Sequence, residues 1–434
     1  MTHMDSVDRY MAAYNVALRG AAGPAWMGAL REAAIARVAE LGLPTTQNEE
    51  WKYTNVSAIA KIHANIPVRK AGTITLGRLT ENTYVGDGAR LVFVNGLYAP
   101  ELSSVDLPGV TVSTISAAAR GAQAALVESH IAKIAPFESD AFTALNTAFL
   151  RDGALVVIPA GMTVEKPIQL MFLAHATDGG SFASPRVLIL AERGSRATVV
   201  ESHVALAPAA YFSNSVAEIL CEEGASLEHY RVQEESVNAF HIASINVRQE
   251  QDSHYRSCLV TTGGRLARTT LKITLNGERC ECELDGLSIT DGQQHVDNHT
   301  QIDHTAPNCN SRQLYKSILK GNSRAVFNGK VIVRQAAQKT DAKQTNKNLI
   351  LSDTARVDTK PQLEIFADDV KCTHGATIGQ IDDASLFYLK TRGIGEEQGR
   401  QLLTYGFAHE VLEQITLEPL RERLDRKLLS QISI

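Results

Sequence analysis

Short apolar runs closed by glycine dominate the middle of the chain. Ala154-Leu-Val-Val-Ile158, Arg186-Val-Leu-Ile-Leu190 and Val216-Ala-Glu-Ile-Leu220 are each followed within a few residues by Gly161, Gly194 or Gly224. A second strand-like run comes after each glycine: Met162-Thr-Val-Glu165, Ala197-Thr-Val-Val200 and Ser226-Leu-Glu-His-Tyr230. The glycines lie 33 and 30 residues apart, with no helical pattern between the runs. Such an imperfect period marks stacked β coils, because one coil cannot bury its inward face alone and neighbours must cover it. The pattern predicts a mainly β core, a parallel β-helix, over residues 70–381. A β-sandwich also shows short strands with turn signals and is the competing reading.

Helical spacing flanks this core. Met27, Leu30, Ala34, Val38 and Leu41 recur every three or four residues, with Pro24 at the start and Gly42 at the end. Residues 1–69 therefore read as an N-terminal helical region that includes the polar link Pro44 to Thr54. After Ile381, Leu402, Leu403, Phe407, Val411, Leu412 and Ile415 form one stripe, and Leu417, Leu420, Leu424 and Leu428 a second. These predict a C-terminal helical domain over residues 382–434, with a bend at Gly406. Glu396 and Glu397 stand where a helix N-terminus favours negative charge, and Arg423, Arg426 and Lys427 near a C-terminus.

Composition narrows the class. The chain has 434 residues, more than one ordinary domain, and its hydrophobic content of 44% comes with only 6% aromatics. That balance suits thin layers of Val, Ile, Leu and Ala. A net charge of −5 without a long basic run offers nothing to nucleic acid or to an anionic membrane. No apolar run approaches the roughly 18 residues of a membrane span. The stretch Met1–Gly23 carries Asp5, Asp8 and Arg9 and lacks the apolar segment of a signal peptide. The six cysteines, Cys221, Cys258, Cys280, Cys282, Cys309 and Cys372, are thus expected to be free thiols in the cytoplasm.

Three groupings could carry chemistry. Cys372 and His374 stand two apart in Val370-Lys-Cys-Thr-His-Gly-Ala-Thr-Ile378, so on a strand they share a face. Thiolate and imidazole suit iron or zinc, but an iron–sulfur cluster generally takes four ligands, so the pair reads as half a site completed by another chain. A buried cysteine beside a hydrogen-bonded histidine is the structural alternative. The second grouping is His295-Val-Asp-Asn-His299 with His304. Three histidines can hold a catalytic zinc, which keeps a stand-alone β-helical metalloenzyme open, yet His304 falls on the opposite face from His295 and His299. The third, Cys280-Glu-Cys282, puts two sulfurs on one face, where small apolar packing is the commoner role. The polar stretch Lys339–Asn348 is either a sheet face or a solvated loop, the loop reading leading. No G-x-x-x-x-G-K-[ST] loop, G-x-S-x-G elbow or H-E-x-x-H pair occurs, so if nucleotide hydrolysis drives this protein, another chain supplies it. A polysaccharide-active β-helix is disfavoured by the lack of an export signal.

Several segments resemble the SufB/SufD family of iron–sulfur cluster assembly proteins, and its SufD side in particular. They are Asn48-Glu-Glu-Trp-Lys-Tyr-Thr54, Phe93-Val-Asn-Gly-Leu-Tyr-Ala-Pro100, Asp297-Asn-His-Thr-Gln-Ile-Asp-His304, Arg312-Gln-Leu-Tyr-Lys316 and Phe327-Asn-Gly-Lys330. Gln338 to Leu349, Asp368 to Thr377 and Leu386 to Ile394 extend the likeness over nearly the whole chain. The resemblance implies a right-handed parallel β-helix with helical regions at both ends. It implies a scaffold rather than an enzyme, in a SufB–SufC–SufD complex where SufC is the ATPase. A SufB-like subunit would pair through the β-helix, and a SufC-like ATPase would dock on the C-terminal helices at Leu402, Leu403, Phe407 and Val411. His374, with Cys372 as its strand neighbour, would stand at the SufB interface as a candidate metal ligand in nascent cluster formation. The cluster would be transient there, with no cofactor tightly bound in isolation and a homodimer open to the isolated chain.

Overall fold

The computed structural model describes residues 3–20, 23–62, 74–175 and 181–432. Its centre is a parallel β-solenoid of about 8 turns. Two ten-stranded sheets face each other, and the chain alternates between them through the successive coils. Apart from two antiparallel pairs at the N-terminal end, Arg90–Val94 with Leu97–Tyr98 and Thr111–Thr114 with Ala154–Ile158, pairing is parallel and in register, as in Glu281 with Asn310, Asn310 with Asp341 and Asp341 with Lys371. The antiparallel sandwich is thereby excluded. Met162–Glu165, expected as a strand, makes only a single bridge from Thr163 to Arg196.

One corner repeats through the whole solenoid. Gly161, Gly194, Gly224, Asp252, Arg279, Asn308 and Lys339 all adopt left-handed backbone, with φ from 56° to 72°. Each donates its amide to a carbonyl of the next coil, at Arg193, Glu223, Gln251, Glu278, Pro307, Gln338 and Asp369, over 2.7–3.3 Å. Left-handed backbone costs an L-residue roughly 1–2 kcal/mol, which glycine avoids. The coil-to-coil hydrogen bond offsets that cost at Arg279 and Lys339. After every corner but the first, where Met162 is half-buried, the next residue turns inward and is small: Ser195, Ala225, Ser253, Cys280, Cys309 and Thr340 form a buried ladder.

Inward and outward positions alternate along each strand. Apolar rungs such as Val199, Leu227, Ile245, Ile273 and Ile302 fill part of the interior. Polar rungs fill the remainder, and they account for Lys339–Asn348. This is no solvated loop: strand Asp341–Ile350 runs through it, with Ala342, Gln344, Asn346 and Asn348 buried. Asn348 Nδ2 donates to Asn346 Oδ1 at 2.6 Å and Asn346 Nδ2 to the Tyr315 carbonyl at 3.1 Å. Amide pairing satisfies part of this rung, while Gln344 and Asn348 Oδ1 find no hydrogen-bond partner among the described residues, and polarity on both faces hides the alternation from the sequence.

The N-terminal helices His3–Ala17 and Ala25–Leu41 pack with the buried helix Ala141–Ala148 against Phe182, Phe212 and Phe240. Those three rings occupy one register position on successive strands, and Phe182 stacks on Phe212 at 5.2 Å. Gly42 ends the second helix as expected, its amide reaching Val38 O at 3.0 Å.

Helices Asp383–Thr391, Glu396–Leu412 and Glu418–Ile432 follow the last coil. Ala408, Val411, Leu412, Leu420, Leu424 and Leu428 close over Tyr230, Val260, Leu287 and Ile318 on the outer face of one sheet. Gly406 makes no bend; the helix continues through it to Leu412. A mid-helix glycine costs only about 1 kcal/mol, less than the packing that this stripe gains.

Candidate functional site

Among the described residues, no cap covers the end of the solenoid. Strand Lys371–Gly379 pairs on one edge with Asp341–Ile350, and the facing sheet ends at Arg356–Ile365. Among the described residues, no further strand pairs with the outer edges of these two terminal strands, so their backbone groups stand ready for pairing. Exposed Ile365, Phe366 and Ile378 lie on these strands or directly after them.

Cys372 and His374 sit on this edge. Cys372 is in register with Ala342 and His374 with Gln344, so both extend inward-facing rungs beyond the last covered coil. Cys372 is half-buried against Val331, Val333, Ala342 and Ala367, and burial pushes its thiol pKa above the ordinary value. His374 is exposed. A thiol and an imidazole, one soft and one borderline donor type, thus stand side by side on this strand. Among the described residues, no group of three or more His, Cys, Asp or Glu is arranged to hold a metal ion.

The three histidines of the metalloenzyme alternative do not converge. His304 points into the solenoid, 2.9 Å from Ser311 Oγ, and burial lowers its pKa to about 4. His295 and His299 face outward and serve a different purpose. They receive the Asn48–Thr54 segment, a meeting of two motifs that no local pattern pairs. Thr54 Oγ1 donates to Asp297 Oδ2 at 2.5 Å and lies 3.1 Å from His295 Nε2. The Arg268 guanidinium pairs with Asp297 at 2.6 Å and stacks on the Trp51 ring at 3.7 Å. His299 bridges Asp297 at 3.0 Å and Glu50 at 3.4 Å. Burial opposes the charged imidazole, but the two carboxylates outweigh it and its pKa is raised. Glu49 reaches Lys360 on the terminal coil at 2.9 Å, tying the N-terminal region to the open end.

The residues proposed for ATPase docking divide. Leu402 is exposed, Leu403 and Phe407 are half-buried, and Val411 is buried against the sheet. A further buried network escaped the sequence reading. Glu201, His203, His229 and Arg231 meet inside the early coils, with His241 and Glu235 completing the chain of contacts. The alternation Glu201-x-His203 and His229-x-Arg231 was its only signal.

The architecture is an open-ended β-solenoid with helical flanks and a cysteine and a histidine side by side on its terminal strand. Residues 172–407 match the SufBD core domain of SUF system FeS cluster assembly, and residues 4–170 match the SufBD protein N-terminal region. The chain belongs to this SufBD family and has a role in SUF iron–sulfur cluster assembly. Within it, the chain sides with SufD. Iron-sulfur cluster assembly protein SufD of Escherichia coli is 35% identical over 88% of each chain. A SufBD family protein of Synechocystis is 38% identical over 91% of this chain and 88% of its own length. Protein ABCI7, chloroplastic, of Arabidopsis thaliana is 33% identical over 88% of this chain and 81% of its own. No helix among the described residues is long and apolar enough to cross a membrane.

Proposed function

We propose that this chain is the non-enzymatic scaffold subunit of a cytoplasmic SufB–SufC–SufD complex. A SufB-like subunit pairs with the open terminal coil and completes the ligand set begun by His374 and Cys372. The nascent iron–sulfur cluster is cargo at that contact, held transiently rather than as a resident cofactor. A SufC-like ATPase docks on the C-terminal helices, and its closure on ATP shifts the contact and exposes the two ligands. Without SufB, the same edge serves a homodimer.

The observation that carries this reading is the uncapped end itself. An exposed edge strand with apolar neighbours is a liability that solenoids ordinarily cover, and here it coincides with the thiol–imidazole pair. Co-expression with SufB-like and SufC-like chains tests the proposal. The expected result is a stable ternary complex in which His374→Ala assembles normally but loses most cluster formation. Normal cluster yield in that variant, or failure of the wild-type chain to join the complex, would refute it.

A further inference from the structure

Cys280 and Cys309 follow equivalent left-handed corners, Arg279 and Asn308, on successive coils. The residues after them, Glu281 and Asn310, are in register, and the Asn310 amide donates to Cys280 O at 2.9 Å. The two cysteines are therefore adjacent rungs of the buried small-residue ladder. Neighbouring strands stand about 4.8 Å apart, inside the ~4.4–6.8 Å Cα separation that disulfides require. Their side chains converge as well. Cys280 Sγ lies 3.1 Å and Cys309 Sγ 3.2 Å from the same Gly277 carbonyl oxygen, which caps their separation at about twice that distance. Cys282 stands two residues along from Cys280, roughly 6.6 Å at strand rise, and is the poorer partner.

The environment distinguishes the two thiols. A hydrogen bond from the Cys309 side chain draws the Cys280 pKa below the ordinary value, with further help from Ser253, while burial opposes it. The same contact, with burial, pushes the Cys309 thiol up. One sulfur thus gains thiolate character beside a second that can resolve it. Glu250 and Gly277, whose carbonyls touch Cys280 Sγ, line an open groove of about 1120 Å³ against the Ser129–Pro136 segment. Both cysteines are fully buried behind this wall, so an oxidant in the groove would meet them only on a local opening of the corner.

The geometry points to Cys280 and Cys309 as an oxidation-sensitive pair that closes into a reversible disulfide between coils when hydrogen peroxide is present. The Cys280 thiolate attacks one peroxide oxygen, the O–O bond breaks, a sulfenic acid forms, and the departing hydroxide takes up the proton that the thiol had released to leave as water. Cys309 then attacks the sulfenyl sulfur, the S–S bond forms, and a second water leaves. Two electrons pass from the sulfurs to the peroxide, and the two thiol hydrogens end in water. A thiol reductant reverses the bond by exchange.

The test treats the folded full-length chain with hydrogen peroxide, alkylates the remaining thiols and cleaves at acidic residues without reduction. Cleavage after Glu281 separates Cys280 from Cys282, so mass spectrometry assigns the bond. The expected product has one intramolecular Cys280–Cys309 link and four free thiols of the original six. Cys309→Ser should abolish the link and leave a Cys280 sulfenic acid that dimedone traps, and Cys282→Ser should leave the link intact. Circular dichroism confirms that each variant is folded, and Cys309→Ala replaces Cys309→Ser if that one is not. Six free thiols after exposure, or bonds involving other cysteines first, would overturn the assignment and leave the ladder as packing alone.

Discussion

The ammonium of Lys316, buried on the outer face of the solenoid, pairs with the carboxylate of Glu410 on the helix that lies over it. Lys316 Nζ also donates to the Phe407 carbonyl at 2.7 Å and sits 4.4 Å from the centroid of that ring. Lys347, one strand nearer the open end, joins Glu410 at 3.2 Å. The C-terminal helices are thus bolted, through Lys347, to the strand that pairs with the one carrying Cys372 and His374, and, through Lys316, to the next strand in.

Replacing Lys316 with Met should loosen this seam. Glu410 is about half-exposed, so water recovers part of its solvation, and the loss should be about 1–3 kcal/mol rather than that of a fully buried broken pair. Hydrogen exchange should accelerate in Glu396–Leu412 while the central coils stay protected. The double variant Lys316→Met with Glu410→Gln should recover part of the loss. Uniform acceleration across the solenoid would show that the pair acts elsewhere.

Asp285 should oppose stability above neutral pH. It is buried, and burial, with Glu283 adding repulsion, raises its pKa to about 7 against the ordinary 3.8. The folded state therefore holds this proton between about pH 4 and 7 while the unfolded chain has released it, so stability falls as pH rises through that window. Asp285→Asn removes the titration. The variant should gain on the order of 2–4 kcal/mol at pH 8 and almost nothing at pH 4, read by denaturant unfolding at both values.

How much of this was legible in the sequence follows from the corner ladder. Gly161, Gly194 and Gly224 announce their corners because glycine takes left-handed backbone freely. Asp252, Arg279, Asn308 and Lys339 repeat the same turn without glycine, and there the visible period vanishes. Strand parity was legible wherever one face was apolar, and His304 does turn opposite to His295 and His299. It failed at Asp341–Ile350, whose inward Gln344, Asn346 and Asn348 are as polar as the outward face. Cys372 and His374 were legible as a same-face pair. The docking of Asn48–Thr54 on Asp297 was not, because contacts some 240 residues apart leave no local pattern.

His304 should shape the acid limb of the stability curve. Burial depresses its pKa from 6.5 to about 4, so the unfolded chain binds this proton first as pH falls. Stability is then full above about pH 6.5 and is lost progressively down to pH 4. His304→Gln should flatten that segment by about 2–3 kcal/mol relative to the parent chain, whatever the variant costs at pH 7. An unchanged slope would mean that His304 is hydrated or charged in the fold.

The open edge should tolerate a charge as a free surface and reject it as an interface. Ile378 lies on the terminal strand with half its surface exposed, so Ile378→Lys should leave the melting temperature of the isolated chain within about 2 °C, as for an ordinary surface change. A lysine on an edge strand is also a device by which sheets resist edge-to-edge pairing. If a SufB-like subunit continues the solenoid here, the ammonium must be desolvated against it, and affinity should fall more than about tenfold. Docking of the ATPase on the C-terminal helices, on a different face, should be untouched. Calorimetric titration with each partner separates the two effects, and equal weakening of both would indicate a folding defect instead.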